Sequence, residues 1–276
     1  MFKVFFEQSM VKQMAKSYLE LLEESLPPPT NKNYEGWKHY GLTAIERGLV
    51  LRKIISKFIC IDNTRILDVG CGEGGISIAF GRGGKTKVYS IDIEPARVYK
   101  SKVRARDEKV KIDFLVADGQ NLPFKTGAFD VIICNDVIEH VSKPRQLLKE
   151  MYRNLRTGGF LYLCAPNGIS IPLIIRDGHY GLFGVSLMPY QIGKYYVTKI
   201  RKISEEYDVY GPFNYWLLRG RLGDMFRVVD CYYEQQSRLG KLLKSIPDII
   251  LRFVYPTINV VCEKLEAPNA YMVDNC

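Results

Sequence analysis

The sequence predicts a doubly wound α/β fold built on a mainly parallel β-sheet. Between Arg65 and Pro166, short apolar segments rich in β-branched residues alternate with segments of helical periodicity. The apolar segments are nearly continuous, as expected for parallel strands that are covered on both faces. The chain has 276 residues, of which 47% are hydrophobic and 25% charged, enough for a large domain with a complete core.

Each element of this region follows from a local pattern. Five strands are predicted by the segments RILDVG, KVYSIDI, IDFLVAD, FDVIICND and GFLYLCAP. Helices are predicted over GGISIAFGR, Pro95 to Arg106 and Ser142 to Leu155. Further along, a helix over Tyr215 to Met225, the strand RVVDCYYE, an amphipathic helix over Leu242 to Phe253 and the strand TINVVCEKL complete a total of seven strands.

Two amphipathic helices precede the sheet, and one long insertion interrupts it. The first helix runs from Gln8 to Leu26 and is ended by three prolines; the second runs from Leu42 to Phe58. We therefore predict an N-terminal helical cap over residues 1–60 and an α/β domain over residues 61–276. Residues 167–212 are rich in glycine, proline and aromatic residues, and an insertion of this length predicts a substrate cap.

A glycine-rich turn follows the first predicted strand. Gly70, Gly72 and Gly75 satisfy the G-x-G-x-x-G pattern that nicotinamide and flavin cofactors use to bind a pyrophosphate. Asp68 precedes this turn, and a carboxylate beside a pyrophosphate is electrostatically unfavourable. The carboxylate suits a cationic ligand such as S-adenosylmethionine, which carries a sulfonium and an ammonium group.

Two more acids end the next strands. Asp92 ends the second strand, where a carboxylate can accept both ribose hydroxyls of either kind of cofactor. Asp118 ends the third, where it and the backbone of Gly119 can meet an adenine edge. In open α/β sheets, ligands bind outside the carboxyl ends of the strands.

The motif DVGCGEG resembles the first motif of the class I S-adenosylmethionine-dependent methyltransferases, in particular the methyltransferase type 11-like family. VYSIDIEP, ADGQNLPFKTGAFDVIICNDVIEHV and LRTGGFLYLCAPN resemble the later motifs of that family in the right order. The resemblance covers Arg65 to Asn167. It implies a Rossmann-like methyltransferase fold with an antiparallel last strand, and S-adenosylmethionine as the cofactor. The cofactor-binding residues that it implies are Asp68, Gly70, Cys71, Gly72, Asp92, Ile93, Asp118, Gly119 and Asn135.

The segment DVIEH after the fourth strand carries the candidate catalytic groups. Asp136, Glu139 and His140 are spaced as on one face of a helical turn, and His179 from the insertion could join them. A similar cluster binds a divalent metal in some ubiquinone-type and small-RNA O-methyltransferases. Because Glu-His is common at this position without a metal, we expect no metal and predict that His140 and His179 act on the acceptor as base or contact residues.

The insertion contains RDGHYGLFGVSLMP, which resembles a segment of methyltransferases associated with polysaccharide or lipid-linked sugar pathways. Its aromatic residues either line a substrate cavity or form the core of the cap. These residues are Tyr180, Phe183, Tyr190, Tyr195 and Tyr196.

The function predicted from these features is O-methylation of a small molecule, a sugar or a lipid-linked glycan. The alternatives are an RNA methyltransferase and a non-catalytic cofactor-binding protein. The formal net charge of +9 permits an RNA substrate, but no RNA-binding motif is appended, so we do not expect a nucleic-acid partner. A nicotinamide-linked dehydrogenase is disfavoured by Asp68.

The remaining features concern the compartment and the membrane. Seven cysteines without a C-x-x-C pair favour reduced thiols in the cytoplasm, and the N-terminus lacks the pattern of a signal peptide. The basic, amphipathic segment LGKLLKSIPDIILRFVY is compatible with peripheral contact to a membrane surface or with packing on the sheet. The sequence leaves the oligomeric state open.

Overall fold

The structure is a computed structural model, and it describes residues 16–30, 34–210, 213–223, 225–232 and 253–266. The beginning of the first predicted helix, before residue 16, lies outside the described residues. Most of the predicted helix Leu242 to Phe253, and with it most of the segment that suggested membrane contact, also lies outside them.

Seven strands form a single sheet in the order β3-β2-β1-β4-β5-β7-β6. β7 pairs antiparallel with both β5 and β6, whereas the pairs β1–β2, β2–β3 and β4–β5 are parallel. The prediction of a seven-stranded, mainly parallel sheet with an antiparallel last strand is therefore confirmed. The strands are β1 Arg65–Val69, β2 Lys87–Asp92, β3 Asp113–Val116, β4 Phe129–Asn135, β5 Leu155–Pro166, β6 Phe226–Tyr232 and β7 Thr257–Lys264.

The helices fall before, between and after these strands. The α-helices are α1 Tyr18–Ser25, α2 Tyr34–Leu42, α3 Ala44–Ile55, α4 Gly75–Gly81, α5 Pro95–Asp107, α6 Pro144–Asn154, α7 Ile171–Ile175, α8 Tyr190–Tyr195 and α9 Tyr215–Leu222. Short 3-10 helices span Ile138–His140 and Val185–Leu187, and a π-helix over Tyr196–Ile200 continues α8.

The chain divides into two compact units, one up to Asp118 and one from Gly119 onward. In the first unit, α1 packs on α5 through Tyr18, Leu22 and Val103. The predicted division into a cap over residues 1–60 and a domain over residues 61–276 has a different boundary from that between these two units, and it stays a prediction.

The first unit contains one helix more than the sequence predicted. The predicted helix Leu42 to Phe58 corresponds to α3, which begins at Ala44, whereas α2 ends at Leu42 and occupies residues for which no helix was predicted. Thr43 lies at the break, and both its hydroxyl and its N–H donate to the carbonyl of His39, at 2.8 and 3.0 Å. A side chain that bonds the preceding turn competes with regular helix continuation, which periodicity alone does not report.

α3 and α4 approach each other at two glycines. A Cβ atom on Gly48 would lie 2.6 Å from the Ala79 Cβ, and one on Gly75 would lie 2.4 Å from the Ala44 Cβ. Neither position has room for a side chain. Gly75, the third glycine of the fingerprint, is therefore required by helix packing in this structure.

The second unit contains β4 to β7 and the insertion. α6 buries Leu147, Leu148 and Met151 completely. The insertion leaves the sheet after β5 and returns close to its starting point, because the Gly168 N–H donates to the Phe213 carbonyl at 2.8 Å. Its two ends are thus joined by a backbone hydrogen bond.

The insertion has a small core of its own. Leu182, Val185, Val197 and Tyr207 are buried there. Three of the five aromatic residues considered above pack against this core, namely Tyr180, Tyr190 and Tyr196. The other two, Phe183 and Tyr195, are 69% and 62% exposed.

Candidate functional site

The loop after β1 has a backbone conformation that glycine permits. Gly70 and Gly72 have φ angles of 71° and 54°, in the left-handed region that other residues rarely adopt. The N–H groups of Gly70 and Cys71 both donate to the Ile91 carbonyl at 2.8 Å, which fixes the loop on β2. A Cβ atom on Gly72 would meet no described atom within 4 Å, so the loop has open space in front of it. The Cys71 thiol is half-buried, and its burial raises its pKa.

Asp92 is held beside this loop at the end of β2. One carboxylate oxygen accepts from the Gly72 N–H at 2.9 Å, and the other accepts from the Glu94 N–H at 3.0 Å. The neighbouring Ile93 side chain is 64% exposed. A fixed carboxylate next to an exposed apolar side chain suits a ligand that combines hydroxyl groups with a flat apolar ring.

Asp68 is buried within the first unit. Its carboxylate accepts from the Ser77 hydroxyl, and that of Ser90 donates to Ser77 at 2.8 Å. Burial, with a smaller contribution from the charge of Asp92, raises the pKa of Asp68 to about 7. Because Ser77 lies in the first turn of α4, Asp68 also bonds the start of that helix.

The third acid, Asp118, differs from its prediction in one respect. The segment IDFLVAD predicted a strand that ends at Asp118, but β3 ends at Val116. Asp118 therefore lies two residues beyond the strand, in the loop that follows it, and is half-buried. Gly119 follows it and begins the second unit. The predicted adenine contact of these two residues stays a prediction.

Helix α1 is bonded to the glycine loop by a contact that the sequence did not reveal. The Tyr18 hydroxyl donates to Glu73, the loop residue after Gly72, at 2.7 Å. Lys100 donates to the other carboxylate oxygen of Glu73 at 3.1 Å, and the guanidinium of Arg104 lies 4.2 Å from the centre of the Tyr18 ring. No spacing relates Tyr18 to a loop 55 residues away, so a single sequence carries no signal for this contact.

In the second unit, the residues directly after β4 depart from the predicted helical turn. Asp136 has a φ of 55° and precedes the 3-10 helix, so it does not share a helix face with Glu139 and His140. Its carboxylate accepts from the Asn135 amide at 2.8 Å and from the Cys164 thiol at 3.2 Å. The prediction of one face carrying all three residues is therefore wrong, because the backbone turns left-handed at Asp136.

Glu139, His140 and His179 do come together. Each offers one ligand atom, and these atoms lie within 4.8 Å of one another. The two imidazole rings meet edge to face with centroids 5.0 Å apart. Glu139 is 2% exposed, and its Oε2 has no hydrogen-bond partner in the part of the chain that the structure describes. Burial, and then the charge of Asp136, raises the pKa of Glu139 well above its usual range.

A fourth residue, Asp208, completes this cluster and was missed by the sequence analysis. Its carboxylate lies 3.1 Å from the Nδ1 of His140 and accepts from the Tyr180 hydroxyl at 2.9 Å. Burial lowers the pKa of His140, but the hydrogen bond with Asp208 and the nearby carboxylates outweigh it and raise the pKa overall. The pKa of His179 is lowered, first by burial and then by the charge of His140.

The loop that carries His179 is built around Asp177. This buried carboxylate accepts three backbone N–H groups, from His179 at 2.9 Å, Tyr180 at 2.8 Å and Leu182 at 2.8 Å. An aspartate that bonds the backbone of the residues after it is a strong turn former. Asp177 is thus the residue that sets the direction of His179.

A cavity of about 480 Å³, including its open mouth, lies beside His179. Its wall is mainly apolar and includes Leu173, Met188 and Phe213. The sequence left open whether five aromatic residues of the insertion line a cavity or form the core of the cap, and none of the five lines this cavity. The tyrosine and phenylalanine in its wall are Tyr207 and Phe213. The remaining lining residues are Pro166, Gly168, Asp177, Gly178, Val185, Ser186 and Val209.

Comparisons with known proteins identify the family of this chain. A family model described as a methyltransferase domain matches residues 67–163. A ubiquinone biosynthesis O-methyltransferase of Xanthomonas oryzae pv. oryzae is 32% identical over 114 residues, which cover 41% of this chain and 47% of that protein. The chain thus aligns with about half the length of this relative. A protein of the same name from Rickettsia prowazekii is 30% identical over 200 residues, which cover 70% of this chain and 75% of that protein.

A solved structure supports the same assignment at the level of the fold. The S-adenosylmethionine-dependent methyltransferase of Methanosarcina mazei superposes with a TM-score of 0.57 at 22% identity, covering 78% of this chain and 98% of that one. Sequence motifs, strand order and relatives therefore point the same way. The chain belongs to the class I S-adenosylmethionine-dependent methyltransferases.

Proposed function

We propose that this protein transfers the methyl group of S-adenosylmethionine to a hydroxyl oxygen of a small, largely apolar acceptor. The observation that carries the proposal is the apolar cavity beside His179, whose ring contacts His140. The cavity is small and mainly apolar, and an acceptor in it would lie next to His179, whose ring packs against that of His140.

The cofactor residues are those that the family resemblance implies. Because the chain belongs to the S-adenosylmethionine-dependent methyltransferases, S-adenosylmethionine is the expected cofactor. It supplies an activated methyl group on a sulfonium centre. The open space at Gly72, the fixed carboxylate of Asp92 and the exposed side chain of Ile93 fit its hydroxyls and its apolar ring. Cys71, Asp118, Gly119 and Asn135 complete the proposed set, as the family resemblance implies.

Asp68 fits the positive charges of the same cofactor. Its carboxylate is buried, and a nearby cation favours the ionised form of a carboxyl group whose pKa burial has raised. A pyrophosphate would have the opposite effect. This electrostatic preference supports the choice of S-adenosylmethionine over a dinucleotide.

The proposed role of His140 is that of the base. A neutral hydroxyl is a weak nucleophile, so removal of its proton as the oxygen–carbon bond forms and the sulfur–carbon bond breaks assists the transfer. His140 Nδ1 is engaged by Asp208, which leaves Nε2 as the nitrogen that can take the proton. His179, in the cavity wall, contacts the acceptor.

The choice of acceptor rests on the wall of the cavity and on the relatives. A sugar needs several polar partners, but Asp177 is occupied by backbone N–H groups and the Ser186 hydroxyl donates to the Gly168 carbonyl. The relatives named above are O-methyltransferases of ubiquinone biosynthesis. We therefore place a hydroxyl on an aromatic ring first among the acceptors, with a sugar or lipid-linked glycan as the alternative.

The first test is a methyl-transfer assay with radiolabelled S-adenosylmethionine on two acceptor sets, alkyl-substituted catechols and free or lipid-linked hexoses. We expect transfer to a catechol, and about a hundredfold loss in the His140→Gln variant. His39→Gln, a change in the exposed histidine of α2, is the matched control and should leave the rate unchanged. Transfer to hexoses alone, or equal rates in all three proteins, would contradict the proposal.

A divalent cation at the same cluster is a second candidate, and one observation favours it. Glu139 Oε2 is buried without a partner in the described chain, which is costly unless a cation or a bound group satisfies it. Glu139, His140 and His179 are the residues that would hold the ion, which would polarise the acceptor hydroxyl. This alternative differs from the prediction that no metal is bound. Isothermal titration with Mg²⁺ and Zn²⁺ tests it, with Glu139→Gln as the variant that should abolish binding.

Peripheral contact with a membrane is a further part of the proposal. No helix in the described parts of the chain is both long and apolar enough to cross a bilayer. In α8 and the π-helix that continues it, Gly193 and Val197 face the core of the insertion. On the same helical stretch, Ile192, Tyr195 and Ile200 are each more than half exposed. An apolar face of this kind beside lysines suits the surface of an anionic bilayer.

Sedimentation with vesicles tests the membrane contact. Binding to vesicles of phosphatidylcholine with phosphatidylglycerol, but not to phosphatidylcholine alone, is the expected result, and it should weaken with salt. The Ile192→Glu variant should reduce binding, whereas Leu49→Glu, at an exposed position of α3, should not. We place the protein in the cytoplasm, as its sequence predicts, with this apolar face turned to the cytoplasmic surface of the membrane.

A further inference from the structure

The contact between His140 and Asp208, near the end of the insertion, bears on which ring nitrogen of His140 carries the proton. Two acceptors of Asp208 face the same ring nitrogen, because His140 Nδ1 lies 3.1 Å from a carboxylate oxygen and 3.3 Å from the Asp208 backbone carbonyl. A carboxylate and a carbonyl can only accept a hydrogen bond. The proton of the neutral imidazole is therefore drawn to Nδ1.

The other ring nitrogen faces the reactive cluster. Nε2 lies 4.0 Å from the Glu139 carboxylate, and the ring of His179 packs against the same imidazole. In the neutral form with its proton on Nδ1, Nε2 carries a lone pair and can accept a proton. In the opposite tautomer it carries a hydrogen and cannot act as a base.

Asp208 is itself fixed by neighbours from both sides of the contact. The Tyr180 hydroxyl donates to its carboxylate at 2.9 Å, and the Asp208 N–H donates back to the same hydroxyl at 3.2 Å. Two residues further on, the Tyr210 N–H donates to the Glu139 carbonyl at 2.8 Å. Tyr207, the residue before Asp208, is buried in the core of the insertion. The segment 207–210 is thus pinned to the 3-10 helix that carries His140.

We infer that Asp208 is a positioning residue, which fixes the tautomer of His140 and leaves Nε2 free to receive the acceptor proton. The inference rests on the proposed function, in which His140 is the base. It adds a second role to the insertion, which forms the acceptor cavity and also prepares the base. Methyl transfer would then depend on correct seating of the segment 207–210, even though Asp208 does not line the cavity beside His179.

The test begins with nitrogen NMR of the full chain labelled with ¹⁵N-histidine. The chain contains three histidines, so the spectrum is simple, and His39→Gln and His179→Gln assign the signals of the other two. At about pH 9, above the ordinary histidine pKa of about 6.5, the neutral forms are observed. We expect His140 to show a protonated Nδ1 and an unprotonated Nε2. The reverse assignment would overturn the inference whether or not the enzyme is active on any acceptor.

The second arm compares Asp208→Asn with Glu206→Gln, which removes a charge from an exposed residue nearby. An amide can donate as well as accept, so Asp208→Asn should give a mixture of His140 tautomers. Its kcat should fall in proportion to the fraction of correctly protonated imidazole, roughly two- to tenfold, with an unchanged KM. The control should match the wild type in both measurements. Unchanged tautomer and kcat in Asp208→Asn would refute the positioning role.

The two arms separate this inference from the proposed function. If the wild type transfers no methyl group to any hydroxyl, the proposed function fails, while the tautomer measurement still decides whether Asp208 fixes His140. If transfer occurs but His140 has its proton on Nε2, the proposed function stands and the inference fails.

Discussion

The buried carboxylate of Asp68 offers a test of the link between cofactor binding and stability. The proposed change is Asp68→Asn, which keeps the shape of the side chain and removes its charge. The amide oxygen can still accept from the Ser77 hydroxyl, as the carboxylate does. The variant therefore removes the charge while it can keep the bond to the Ser77 hydroxyl.

The size of the effect follows from the pKa. Burial raises the pKa of Asp68 from 3.8 to about 7, so between these values the folded protein binds a proton that the unfolded chain has released. The free energy of unfolding of the wild type should therefore fall as the pH rises through this window. Between pH 5 and pH 8 the loss relative to Asp68→Asn should be about 2 to 3 kcal/mol, at about 1.36 kcal/mol per pH unit.

Urea denaturation of both proteins at pH 5 and pH 8 measures the difference, with Asp113→Asn as a control at an exposed acid of β3. In parallel, titration calorimetry should show that Asp68→Asn binds S-adenosylmethionine roughly ten- to a hundredfold more weakly, the usual worth of a lost charged hydrogen bond. A stability difference that does not change with pH would refute the raised pKa. Undiminished affinity would refute the contact with the cofactor cation.

Three further changes test packing and the arrangement of the loops. Gly48→Ala should destabilise the protein by about 1–3 kcal/mol, because the added methyl group overlaps α4. Gly220→Ala, on an exposed face of α9, should instead stabilise the protein by up to about 1 kcal/mol. Thermal unfolding of both variants measures the two effects. Tyr18→Phe removes the hydrogen bond to Glu73 and should cost about 1 kcal/mol of stability, read by urea denaturation, and equal stability would argue against the bond. Asp177→Ala leaves three N–H groups without their acceptor and should cost about 2–4 kcal/mol while accelerating hydrogen exchange in the following loop; unchanged exchange there would contradict its role.

The sheet was predictable because its signals are local. The buried strands read as continuous apolar runs, and the acids at their ends, Asp68 and Asp92, needed only the strand boundaries to be placed at one edge. Asp118 was displaced from its predicted place by two residues, because the third strand ends at Val116 and the alternation of polar and apolar residues does not mark that end.

The candidate active site was only half predictable. His140 and His179 could be proposed from residue type and from resemblance, but the acids that orient them, Asp177 and Asp208, lie in an insertion without periodicity. Their roles depend on hydrogen bonds to backbone groups and to distant side chains, which composition does not report. The left-handed backbone at Asp136 likewise broke a spacing argument that assumed a helix.

The hydrogen bond between Gly168 and Phe213 has a consequence for the evolution of this protein. Because the segment between them starts and ends at the same place, it can be lengthened, shortened or exchanged while the strands before and after it keep their register. The entropic cost of closing a loop rises only slowly with its length, so such exchanges cost little stability. His179 and most of the cavity wall lie in this one segment. Under the proposed function, a transplanted insertion would therefore carry acceptor preference from one relative to another as a single heritable module.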